Sequence, residues 1–243
     1  MLEKGGVTEK MDLIKKIDSS VVGSCRKLNK RRDDNSSTYR MTNIFLTVLF
    51  PVFIVLMTEL NQGKYPSRLI MFIANKPTIM AFDILIAAVI FTALCLLLRR
   101  TWRAVLVQSG VYFALSITEL FKFGTNGNHL ILTDMKLIRS VKSLTSFAYI
   151  KITPYLVIYT LIVLAYIFAV FWFNPKRKIN LKKSFAAAAA CMASVVSVFF
   201  VSSIANPVYS FFDVDTTESD NVFILNEKFE NNSFLAFFMQ TAS

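Results

Sequence analysis

Apolar residues in this chain gather in long blocks, not in alternation along a strand or as one stripe of a surface helix. Five blocks, at 41–60, about 79–98, 104–121, 154–173 and about 184–205, carry few charges. Each is close to the ~20 residues that cross ~30 Å of hydrocarbon at ~1.5 Å per residue. In lipid only helices and closed barrels satisfy their own backbone, and the barrel's short alternating segments are missing here. The pattern predicts an all-α polytopic membrane protein with five transmembrane helices, joined by short interfacial amphipathic helices. Pro51 inside the first block predicts a local kink. Pro154 stands where a helix start tolerates a missing N–H.

Two connections are too apolar to be free loops. In the first, 61–78, "YPSRLIMFIANKP" predicts a short helix started by Pro66 and ended by Pro77. Ten residues cannot span, so this helix belongs in the interface. In the second, 122–153, Thr133 or Asp134 can cap a helix over "MKLIRSVKSL". Lys136, Arg139 and Lys142 then fall on one side, and Leu137, Val141 and Leu144 on another. Two readings stand for that basic side. It binds anionic headgroups or a phosphate-bearing polymer, or it belongs to an interfacial helix that snorkels its cations.

Charge fixes the expected orientation. Ten Lys and Arg precede the first span, three lie between the second and third, and five between the fourth and fifth, against nine on the other side. The denser side is expected to be cytoplasmic, which puts the N-terminus inside and the C-terminus outside at the plasma membrane. The net charge of +11 is thereby absorbed by topology, and nucleic acid is not an expected partner. Residues 1–40 read as a basic cytoplasmic tail without the apolar core of a signal peptide. Residues 41–205 read as the five-helix domain, and 206–243 as an extracellular acidic tail or linker.

Three acids, Glu59, Asp83 and Glu119, are expected at the outer ends of their spans. There a carboxylate costs far less than the ~2.5–3.5 kcal/mol of mid-bilayer. They are either hydrated at the interface or meet across the first three helices as an outer polar cleft, with Arg68 or Lys76 as counter-charges. His129, the single histidine, is expected to be an ordinary surface residue of the outer loop. Cys25, Cys95 and Cys191 are far apart and suggest neither a metal site nor a disulfide framework. The tail ends in "FLAFFM", too short to span. It is expected as an interfacial helix that would, alone, expose an apolar patch awaiting a partner.

Several of these stretches together resemble one family. "FIANKPTIMAFDILI", "FKFGTNGNHLILTDMKLI" with Lys122, Phe123 and Asp134, and "EKFENNSFLAFFMQ" resemble the membrane half of lipoteichoic acid synthases and related phosphoglycerol transferases. Asp83 stands where that family more usually has an asparagine. The likeness covers about residues 41–240. It implies a membrane anchor followed by a large extracellular sulfatase-like domain, which uses a threonine nucleophile and a divalent metal to move glycerol phosphate from phosphatidylglycerol. No stretch of this chain is long enough for that domain, so no catalytic residue and no cofactor is assigned to it. The resemblance implies a role in holding such an enzyme, covalently attached or separately encoded, and in presenting an anionic lipid such as phosphatidylglycerol. Glu59, Asp83, Lys136, Arg139 and Lys142 are the candidates for the second task, with Arg68 and Lys76 as further candidates to bind lipid or phosphate.

Two rivals remain at this stage. A self-sufficient accessory protein would bind a separate extracellular enzyme through its tail and outer helices. A small transporter or flippase would need a polar path across the bilayer, often from broken helices in paired repeats. No repeat is visible, and no nucleophile–base pair marks an independent membrane enzyme.

Overall fold

A computed structural model describes residues 36–62, 66–131, 134, 154–173, 181–217 and 221–241. Its helices are α1 (Ser36–Asn61), α2 (Pro66–Asn75), α3 (Pro77–Leu98), α4 (Thr101–Asn126), α5 (Pro154–Trp172), α6 (Leu181–Phe200), α7 (Ser202–Phe211), α8 (Val222–Asn231) and α9 (Phe234–Gln240). No strand occurs among the described residues. Four helices, α1, α3, α4 and α5, are long and apolar enough to cross a bilayer, and the bent pair α6–α7 gives a fifth candidate. The chain is an all-α membrane protein.

The long helices begin and end where local chemistry dictates. α3 opens with Pro77 at its first position and closes on Arg99, whose left-handed backbone (φ 57°) returns its N–H to the Cys95 carbonyl. Only two residues separate it from α4, which forces an antiparallel pair. α4 runs five residues beyond the expected 121 and closes on Gly127 at φ 67°. α1 runs unbroken through Pro51.

α3 is the centre of the bundle, in contact with α1, α2, α4, α6 and α9. Its Phe82, Ile86, Ala87 and Phe91 are buried in the main core with Phe50 and Ile54 of α1, Val105 of α4 and Val195 of α6. Phe50 meets Phe91 at 4.6 Å between ring centroids, and Phe53 stacks on Tyr166 of α5 at 4.0 Å. The Tyr166 hydroxyl donates to the Leu46 carbonyl, 2.5 Å, which satisfies a polar group within apolar surroundings. α5 is otherwise peripheral, and Val170 is its buried residue.

The last long apolar block does not run straight to 205. α6 stops at Phe200, and α7 leaves at 86°. Val201 is extended there and serves as the cap of α7. The bend brings Ala205 and Tyr209 into the core, where Tyr209 packs edge-on against Phe82 at 6.0 Å. The Tyr209 hydroxyl donates to the Val198 carbonyl (3.2 Å), one of those exposed where α6 ends.

The tail also departs from expectation. "FLAFFM" is not an exposed patch: every residue of α9 from Phe234 to Gln240 is buried within the chain itself. Leu235, Ala236 and Met239 join the main core. Phe234 and Phe237 form a second cluster with Phe229, against which Leu115 of α4 packs. The partner such a patch called for is the end of the bundle. Stacking several phenylalanines there removes from water a surface worth about 1.5–3 kcal/mol per side chain. The short helix predicted between Pro66 and Pro77 is observed as α2. The basic helix carrying Lys136, Arg139 and Lys142 lies outside the described residues, as do residues 1–35.

Candidate functional site

The end of the bundle where α1 and α4 finish and α3 begins is roofed by the tail, and most of the chain's unusual polar groups gather there. It is called the capped end below.

Glu59, Asp83 and Glu119 all lie toward this end, on three helices that touch one another. Their residues are 1%, 1% and 2% exposed, so they are buried under protein and not open to water. Glu59 Oε1 accepts the Phe234 N–H at 2.7 Å, which places a carboxylate at the first turn of α9. Ser233 caps the same turn by accepting from the Ala236 N–H. Helix N-terminal donors with no intrahelical partner are thereby satisfied, and negative charge there is favourable.

Glu119 holds the loop after α4 with both oxygens. One meets His129 Nδ1 at 2.5 Å and the other accepts the Leu130 N–H at 2.5 Å. A carboxylate only accepts, so Nδ1 carries the hydrogen between them. His129 is buried, contrary to its expected surface position. Its ring is sandwiched between Phe123 (4.6 Å) and Phe229 (3.5 Å, 7° from parallel), with Phe237 at its edge. Nothing in a lone loop histidine predicts this. The available signal was an acid and an aromatic shortly before it, at the end of an apolar helix.

Lys122 donates to the His129 carbonyl (2.6 Å) and pairs with Asp134. Asp134 also accepts the Ile131 N–H at 2.8 Å. The three positions singled out in "FKFGTNGNHLILTD", Lys122, Phe123 and Asp134, thus meet around one turn and one ring.

The tail adds a second set of ties. Lys76, at the start of α3, donates to the Asn231 carbonyl and side-chain oxygen at 2.8 and 3.1 Å. Its observed partner is therefore an asparagine of α8, while Arg68 is exposed on α2. Asn226 donates to the Gly127 carbonyl, 3.2 Å. Asp215 and Asn232 exchange two bonds of 2.9 Å, and the buried Lys228 donates to the Thr217 carbonyl at 2.7 Å. Burial pushes the Asp215 carboxyl up. The Thr217 N–H and hydroxyl, the Lys228 charge and Asn231 together outweigh that and hold it below the usual carboxylate value.

Below the cap, one face of α4 stays polar for about half the bilayer. Gln108, Ser109, Tyr112, Ser116 and Glu119 recur at helical spacing and are all buried. Gln108 donates to the Ala87 carbonyl of α3 at 3.0 Å, and Tyr112 interacts with Asp83 and Gln108. Gln62 donates to Ser116 at 3.3 Å.

Among the described residues no three His, Cys, Asp or Glu side chains converge as metal ligands. The arrangement is one of structural latches: carboxylates and an ammonium hold backbone groups of distant segments at the capped end. Comparison with protein-family models, with curated proteins and with solved structures finds no match to this chain.

Proposed function

We propose that the chain is the membrane module of a phosphoglycerol transferase of the lipoteichoic acid synthase type. In this reading it holds a sulfatase-like enzyme domain, on the same polypeptide or a separate one, at the outer leaflet. It also presents that domain with an anionic lipid such as phosphatidylglycerol. The capped end is then the extracellular end, and the divalent metal belongs to the enzyme domain.

The observation that carries the reading is the docking of residues 222–240. The docked segment contains, at 227–240, the stretch whose sequence resembles the family's link between membrane and enzyme. It is tied to α1 by Glu59, to α3 by Lys76 and to the end of α4 by Asn226. A domain held through such a segment sits at a fixed height over the bilayer, whereas a loose tether would let it wander. Lipid presentation is assigned to Lys136, Arg139 and Lys142 with Arg68.

The accessory reading changes form. Its apolar docking surface cannot be "FLAFFM", which is buried. Recruitment of a separate enzyme would have to use the outer face of α8, where Phe223 is 83% exposed.

The test is lipid retention by the purified chain, read by native mass spectrometry after extraction from mixed phosphatidylglycerol and phosphatidylcholine membranes. Phosphatidylglycerol should be retained in preference. Replacing Lys136, Arg139 and Lys142 by alanine should remove the preference, at about 1 kcal/mol per basic residue near the surface. Equal retention of both lipids by the unmodified chain would defeat the lipid-presenting half of the reading.

A further inference from the structure

A crevice between α1, α4 and α5 is lined by Thr58 and Asn61, by Ser109, Tyr112 and Ser116, and by Tyr159, over an apolar floor that includes Phe113. Its water-accessible volume is about 10 Å³, the room one water or one hydroxyl group occupies. Three of its polar atoms have no hydrogen-bond partner among the described residues: Asn61 Oδ1, Ser109 Oγ and Tyr112 Oη. Asn61 is 7% exposed and Ser109 2%, so bulk water does not compensate them. A buried polar group left without a partner costs about 1–3 kcal/mol, and such a group in a native fold calls for an explanation. Thr58 and Ser116 already have partners in the Ile54 carbonyl and Gln62.

The geometry points to this crevice as a binding site for the free hydroxyl of an uncharged lipid. Three features select that ligand. First, no Lys, Arg, His, Asp or Glu lines the crevice, so a phosphate or ammonium headgroup would enter with no compensating charge. Second, Asn61 Oδ1 accepts, and Ser109 Oγ and Tyr112 Oη each donate and accept, so the unpaired groups are complementary to a neutral hydroxyl. Third, Tyr159 and Val163 of α5 form one wall of the crevice, and α5 is the long helix with the least buried surface, so the barrier between crevice and bilayer is thin on that side. This site shares none of the basic residues assigned to anionic lipid and does not rest on that assignment.

The test uses the full chain in lipid nanodiscs and a photoactivatable 1,2-diacylglycerol, which carries one free hydroxyl. Its 3-O-acetyl ester, which carries none, and phosphatidylglycerol serve as competitors of the labelling. Labelling should map to α1, α4 or α5 and should saturate. Unlabelled diacylglycerol should compete about tenfold better than the acetyl ester, the effect of one buried hydrogen-bonding group. Ser109→Ala should weaken labelling severalfold with the unfolding temperature unchanged. Asn61→Leu is the second variant and should do the same. If Asn61→Leu unfolds the protein, Ser109→Ala alone decides. Equal competition by the acetyl ester, stronger competition by phosphatidylglycerol, or indifference to Ser109→Ala would each overturn the site and leave the crevice as the seat of a single water.

Discussion

The residues that matter most at the capped end are acceptors for backbone N–H groups. Glu119 satisfies the Leu130 N–H and His129 together, so Glu119→Leu should strand two buried donors and cost about 2–4 kcal/mol. Thermal unfolding in detergent would register it. His129→Ala should cost less, because it strands one carboxylate oxygen and opens a gap between Phe123 and Phe229. An unchanged melting temperature in Glu119→Leu would mean the latch is not formed. Asp215 gives a pH signature. Its carboxyl lies below the ordinary value of 3.8 in the folded chain, so its stabilisation is complete above that value. It is lost as pH falls through the lower folded value. Hydrogen exchange in the 215–217 turn should therefore accelerate only below about pH 4, and Asp215→Asn should abolish that change. Little of this was legible beforehand. Glu59, Asp83 and Glu119 announced themselves as acids at span ends, but Glu59's partner is a backbone N–H 175 residues away, which no local pattern encodes.

At the scale of elements, the long helices were legible because the bilayer reads only length and apolarity, and a block of about twenty residues carries both. The departures come where packing competes with that rule. α6 bends away after Phe200 because Ala205 and Tyr209 gain a core, and α9 is buried because seven mostly apolar residues found the bundle end. An apolar run does not say which surface will cover it. Two predictions belong here. Phe237→Ala should cost about 3–5 kcal/mol of tail docking, since its ring sits edge-on to Phe229 at 5.3 Å in a fully buried cluster. Chymotrypsin should then cleave within 222–240 while α1, α3 and α4 stay protected. Cleavage no faster than in the unmodified chain would show that α9 is held by its polar ties alone. Arg99→Gly tests the two-residue turn between α3 and α4. A side chain at φ 57° costs about 1–2 kcal/mol, part of it regained by glycine's greater freedom when unfolded, so a gain of about 0.5–1 kcal/mol is expected. A loss would mean the Arg99 side chain contributes more than its backbone costs.

For the whole molecule, the question is which side of the membrane the capped end faces, because the anchor reading stands or falls with it. Three forces bear on the answer. The cluster at Arg99, Arg100 and Arg103 sits at the opposite end from the tail, the sequence holds a second short basic connection at 176–183, and short basic connections resist translocation. At the capped end Lys76, Lys122 and Lys228 are tied to protein oxygens, which leaves Arg68 as the exposed cation among the described residues there. The acids of 213–230 contribute little either way, since topology follows Lys and Arg and not net charge. These arguments support the proposal of a cytoplasmic basic end and an extracellular cap. Single cysteines introduced at exposed positions decide it, after Cys25, Cys95 and Cys191 are replaced by serine. With a membrane-impermeant maleimide on intact cells, Ser210→Cys on α7 and Glu230→Cys on α8 should label at once, and Arg103→Cys only after lysis. The reverse pattern would place the cap in the cytoplasm. No extracellular enzyme could then be held by residues 222–240, and the capped end would have to serve a partner on the inside.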